Sequence, residues 1–202
     1  MKPKTRKALT VAGASALVAV IAVAIYLLWR KRRNGGVLVI GGTQNNANMN
    51  TTPNTNGSLG TQFTDTSLPL GYRNNNPLNI LYGSSLWKGK VIPNTDKSSP
   101  RKEQFVSMAY GYRAALYLLR KHIRNGYNTL ARLVNRWGTG ANSDAETAYV
   151  RYVSNKAAIA PASTLSPDDM ESLCRIAWAM AGFENGKLPT SMDAIYQGWA
   201  LL

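Results

Sequence analysis

The chain carries ten acidic residues against 24 basic ones, and Glu184 is the acid in the least expected place. It closes the apolar stretch CRIAWAMAGFENGK, residues 174–187, with Asn185 and Gly186 behind it. Met170, Leu173, Cys174, Ala177 and Ala181 mark the buried face of a helix predicted over Pro167–Phe183. Glu184 lies eleven residues past Leu173 and seven past Ala177. At about 100° per residue it falls within about 20° of that face. A carboxyl there is expected to be partly desolvated and near the negative end of the helix dipole, and both effects favour its protonated form. A carboxylic acid that keeps its proton near neutral pH is what general-acid catalysis requires. The alternative is a structural glutamate clamped by a cation such as Arg175 or Arg73.

The other acids have simpler explanations. Ser143 to Glu146 has the Ser-x-x-Glu form of a capping box, with Asp144 in the same first turn. Asp168, Asp169 and Glu171 load the N-terminus of the Glu184 helix. Asp65 lies in a linker and Asp96 in a polar loop, which leaves Glu103 and Asp193 as candidate partners and no evident carboxylate pair. One histidine, His122, and one cysteine, Cys174, exclude a multi-histidine metal centre and a disulfide framework. No metal or cofactor is expected. A second signal is aromatic: Tyr72, Tyr82, Trp87, Tyr110, Tyr112, Tyr117 and Tyr127 gather in and after an asparagine-rich segment. Rings that stack on sugar faces, with amides that read hydroxyls, suit a glycan chain. Aromatics at helical spacing also serve as core.

These residues need elements to hold them. PLGYRNNNPLNI (69–80) is a turn-rich loop leading into a short strand around 79–82, and further strands are expected at 86–92 and 103–107. Tyr112, Ala115, Leu116, Leu119 and Ile123 then follow a helical period up to Gly126. Additional helices are predicted over 128–137, from the capping box to about 155, from Ser166-Pro167 onwards, and over 191–201. The domain is thus α+β and mostly α.

Ahead of it, composition divides the chain. Residues 1–8 form a basic tail. Residues 9–29 hold no charge and would make a helix of roughly 31 Å, enough for a transmembrane span. Tyr26 and Trp29 stand at its end and Arg30 to Arg33 follow, so a retained single-pass anchor is favoured over a cleaved signal peptide. Its small face (Ala12, Gly13, Ser15, Ala16) could pack against another helix or simply be tolerated by lipid. Residues 30–67 are a basic flank and a flexible Asn/Thr/Gly linker, and 68–202 are the domain. Eight of the basic residues flank 9–29, leaving 16 against nine acids in the domain, a net charge of +7. That balance favours polyanionic partners.

The order GYRNNNPLNI, LWKG, EQFVS, GYRAAL, LARLVNRW, AETAYVRYV and AGFENGK resembles a phage virion protein family whose members include murein-degrading enzymes. The likeness spans nearly all of 70–200. The segment is also similar, more distantly, to lysozyme-like glucosaminidases and lytic transglycosylases. Their catalytic glutamate ends an apolar helix, with the Asn-rich strand and Trp-x-Gly after it in the chain. Here that order is reversed, which implies a circularly permuted lysozyme-like domain behind the transmembrane helix. The resemblance implies that Glu184 is the general acid and that Asn76, Asn79 and Tyr82 line the cleft. Trp87 and Tyr110 join them as candidate sugar-stacking residues. Leu78 and Phe183 depart from that pattern, where glycine and histidine are usual.

The expectation is therefore a membrane-anchored peptidoglycan glycosidase, of lytic-transglycosylase or muramidase/glucosaminidase type, that opens the host cell wall locally. It would act on glycan strands from a virion internal membrane or the host envelope, held in lipid by residues 9–29, where other virion membrane proteins could be its partners. The alternative is a non-catalytic wall-binding or virion structural protein. Nucleic-acid binding rests on charge alone and is disfavoured.

Overall fold

The computed structural model describes residues 63–202. The expected basic tail (1–8), the apolar span (9–29) and the linker as far as residue 62 lie outside the described residues. Among the described residues six helices run in chain order: α1 (Leu70–Arg73), α2 (Met108–Arg124), α3 (Leu130–Thr139), α4 (Ala148–Ala157), α5 (Met170–Asn185) and α6 (Asp193–Ala200).

Local chemistry sets several of their ends. The Thr129 hydroxyl accepts from the Arg132 N–H at 3.2 Å to open α3, and Gly140 closes that helix at φ +75°. The Asp169 carboxylate accepts from the Ser172 N–H at 3.1 Å to open α5. Such caps satisfy N–H groups that have no partner inside the helix. The expected capping box is not formed. Thr147 caps α4 through the Val150 N–H at 3.2 Å, while Glu146 accepts from Arg151 Nε at 2.9 Å. Buried Asn135 gathers the preceding turn, donating to the Ser143 and Ala145 carbonyls at 2.9 Å each and accepting from the Thr147 hydroxyl at 3.1 Å.

The apolar stripe of α2 is buried as its period predicts, with Tyr112, Ala115, Leu116, Leu119 and Ile123 in the core. α2 packs against α6 and α5, α5 against α4, and α4 against α3. Leu133, Ile176, Met180 and Ile195 complete the interior, each side chain contributing about 1.5–3 kcal/mol by leaving water. Gly111 lets α2 touch the loop before it: a Cβ there would stand 1.9 Å from the Asn75 carbonyl oxygen.

The expected α+β, lysozyme-like architecture is corrected. The described residues are 48% helix and 4% strand, and the predicted strands at 79–82, 86–92 and 103–107 reduce to isolated bridges, Leu81 with Lys102 and Lys90 with Phe105. Side-chain amides occupy much of the hydrogen bonding that a ladder would use. Asn76 Nδ2 donates to the Ile80 and Glu103 carbonyls at 2.9 and 3.0 Å. Asn94 Nδ2 donates to Lys102 O at 2.8 Å, and Gln104 Oε1 accepts from Thr95 N at 2.8 Å. Gly89 sits at φ +72°, outside extended geometry.

The expected single-pass membrane architecture and localisation find no support in the described residues, which do not include 9–29. Among the described residues, no helix is long and apolar enough to cross a membrane.

Candidate functional site

Glu184 stands in the last turn of α5, ahead of Asn185 and Gly186. Gly186 turns the chain off the helix at φ +67°, a left-handed conformation that glycine adopts without steric cost. Asn185 anchors that end. Its Nδ2 donates to the Ala181 carbonyl within the helix and to the Pro77 carbonyl of the asparagine-rich loop, both at 2.8 Å. Gly71 makes room for this link, since a Cβ on it would lie 2.4 Å from Asn185 Oδ1 and 2.8 Å from Asn76 O. Two further bonds hold the loop against the helices. Trp137 Nε1 donates to Leu78 O at 3.3 Å, and the Tyr72 hydroxyl donates to Lys187 O.

This anchoring brings Asn79 to Glu184, 105 residues away in sequence. Asn79 Nδ2 donates at 3.2 Å both to Glu184 Oε2 and to the Glu184 backbone carbonyl. Asn79 adopts φ +53°, a conformation that asparagine tolerates better than most residues. On the other side of the carboxylate, the Tyr149 hydroxyl donates to Oε1 at 2.9 Å. Burial, reinforced by the adjacent Glu184 charge, holds the Tyr149 phenol far above its usual range. Tyr149 therefore keeps its proton and donates a hydrogen bond to the carboxylate. Its ring stacks on Phe183, 4.0 Å between centroids and 10° from parallel.

The half-buried Glu184 carboxylate thus rests between two neutral donors. Among the described residues it forms no ion pair: Arg175 instead faces Glu171 at 3.8 Å, and the arginine clamp of the structural alternative is not built. Other acids are engaged elsewhere. Asp144 pairs with Arg132 at 2.7 Å and Asp168 with Arg120 and Arg124. Glu103, fully buried, pairs with Lys90 at 3.1 Å.

The remaining candidate residues sit apart from the carboxylate contacts. Asn76 is fully buried, and its amide serves the backbone on both sides, also accepting from Ile80 N at 2.9 Å. Tyr82 is exposed beneath Lys90 Nζ, 4.5 Å from its ring centroid, and beside the Arg101 guanidinium. Trp87 meets Tyr117 edge-on at 5.9 Å, and Tyr110 packs over Gly89. Cys174 is buried, which pushes its thiol up to about 12, as expected of a core residue. Sequence reasoning missed Tyr149 and Asn185. Nothing in AETAYVRYV separates Tyr149 from a core tyrosine. The position of Asn185 directly after the glutamate was the available signal for the other.

No protein-family model matches the chain. It is 32% identical over 133 residues to Protein P5 of Pseudoalteromonas phage PM2, an alignment that covers 64% of this chain and 79% of that protein.

Proposed function

The chain belongs to the family of Protein P5 of Pseudoalteromonas phage PM2, and from the geometry around Glu184 we propose that it is a phage peptidoglycan glycosidase in which Glu184 is the general acid. The observation that carries this reading is the pair of neutral donors, Tyr149 and Asn79, on a half-buried carboxylate that has no cation partner among the described residues. In the acid step Glu184 gives its proton to the glycosidic oxygen, the C1–O bond breaks, and the leaving sugar departs as an alcohol. Negative charge then develops on Glu184, where the Tyr149 O–H and the Asn79 N–H already point at its oxygens. Donors fixed in advance on developing charge lower a barrier without reorganisation. Among the described residues, the hydrogen bonds of Glu184 include no second carboxylate. The oxocarbenium carbon is then captured by an oxygen of the substrate's own acetamido or lactyl group, as in substrate-assisted routes. Water displaces that oxygen to leave a reducing end, or the sugar's own C6 hydroxyl does so to leave an anhydro end, and the proton released returns to Glu184. The net charge of +7 on residues 68–202 favours association with an anionic wall.

The test is chemical. The full chain is incubated with purified peptidoglycan, and the soluble products are identified by mass spectrometry. Muropeptides with new reducing or anhydro ends support the glycosidase. Protein that sediments with the wall and releases nothing identifies a non-catalytic wall-binding protein instead.

A further inference from the structure

A second feature lies beside α5, apart from the hydrogen-bond contacts of Glu184. A pocket of about 260 Å³ opens between α4, α5 and the start of α6, lined by Lys156, Arg175, Trp178, Pro189, Ser191 and Met192. Two of these side chains are cationic and none is acidic. Arg175 Nε is buried and has no hydrogen-bond partner among the described residues, with Glu171 Oε1 standing off at 3.8 Å. The Trp178 indole is fixed by donating to Pro189 O at 3.0 Å, so an apolar surface is held open next to the two cations. The volume is small beside the roughly 300–1,000 Å³ of typical ligand pockets. It suits a residue or two of peptide better than a sugar chain.

A line of aromatic contacts joins this pocket to Glu184. Lys156 Nζ lies 6.0 Å from the Tyr152 ring centroid, Tyr152 meets Phe183 edge-on at 5.5 Å, and Phe183 stacks at 4.0 Å on Tyr149, the donor to Glu184. The straight-line separation is at most the sum of those three steps, so an extended peptide of no more than about five residues, at about 3.4 Å each, covers it. We infer that the pocket is a peptide subsite, in which Lys156 and Arg175 take the free carboxylates of the stem peptide borne by the glycan strand while Trp178 packs against its apolar atoms. The inference rests on the glycosidase reading and deepens it: the protein selects strands that still carry their peptides.

Binding is measured by calorimetry on the full chain carrying Glu184→Gln, which removes turnover. The two probes are a peptidoglycan disaccharide-tetrapeptide and the same disaccharide stripped of its peptide. The peptide-bearing probe is expected to bind at least about tenfold tighter. Adding Lys156→Gln and Arg175→Gln should abolish that preference and leave the affinity for the stripped disaccharide unchanged. Lys156 is exposed, so Lys156→Gln alone gives a folded variant that should lose part of the preference. Equal affinity for the two probes, or a preference that survives both substitutions, overturns the subsite. Wall release by the wild type together with equal affinities would overturn the subsite alone. A peptide preference without wall release would overturn the glycosidase and leave a peptide-reading wall binder.

Discussion

The Tyr149 hydroxyl donates to Glu184 Oε1 at 2.9 Å, joining the first turn of α4 to the last turn of α5. Tyr149→Phe keeps the ring on Phe183 and removes only the donor. Wall-clearing activity should fall about tenfold, and stability should fall by about 1 kcal/mol, the usual net worth of one hydrogen bond. A clearing rate equal to wild type would remove Tyr149 from the mechanism.

Asn79 couples backbone geometry to the site, since its amide reaches Glu184 twice from a left-handed backbone. Asn79→Ala loses the amide and forces alanine to φ +53°, whereas Asn79→Gly loses the amide alone. Thermal melts should show the alanine variant less stable than the glycine variant by about 1 kcal/mol. Both should lose clearing activity to a similar degree. Activity retained in Asn79→Gly would show that the amide acts only through the fold.

Lys90 and Glu103 form a pair with side chains 6% and 0% exposed. Lys90→Met would leave the Glu103 carboxylate buried, with the Gly83 N–H at 3.1 Å still donating to it. Removing one partner of a buried pair costs about 3–5 kcal/mol. A drop of about 10 °C or more in Tm is expected for a domain of this size. A melt within about 2 °C of wild type would contradict this.

Much of this frame was legible in advance. The 3.6-residue spacing along α2 and α5 marked their buried faces, and the azimuth of Glu184 followed from the same arithmetic. The approach of the asparagine-rich loop to Glu184 was also expected, and Asn79 makes that contact. The β content was misjudged because an alternating pattern shows which residues face inward. It does not show that Asn76, Asn94 and Gln104 would take the backbone hydrogen bonds themselves. The capping box failed for a related reason: Arg151, five residues on, competes for Glu146. Tyr149 could not be singled out, because a buried tyrosine that donates to an acid looks, in sequence, like one that only packs.

Four phenols tie stability to alkaline pH. Burial is the first cause of each shift, raising Tyr72 and Tyr196 to about 12 and Tyr112 and Tyr149 beyond the usual range. In the unfolded chain they ionise near pH 10. Raised folded-state values mean that the unfolded chain loses these protons first, so stability is full below about pH 10 and declines as pH rises towards about 12 and beyond. Denaturant titrations at pH 8 to 11 should show a flat region and then a fall, shallower in Tyr149→Phe. Stability that rises above pH 10 would contradict the assignment.

The central claim is that Glu184 donates the proton. Glu184→Gln keeps the shape of the side chain but cannot act as an acid. The direct measurement is the initial rate of peptidoglycan clearing by the full chain, wild type against Glu184→Gln, at matched concentration and with matched circular dichroism spectra. Loss of a general acid removes about 10²- to 10⁴-fold in rate, so the variant is predicted to fall at least about a hundredfold. A Glu184→Gln protein that clears within about threefold of wild type would contradict the account.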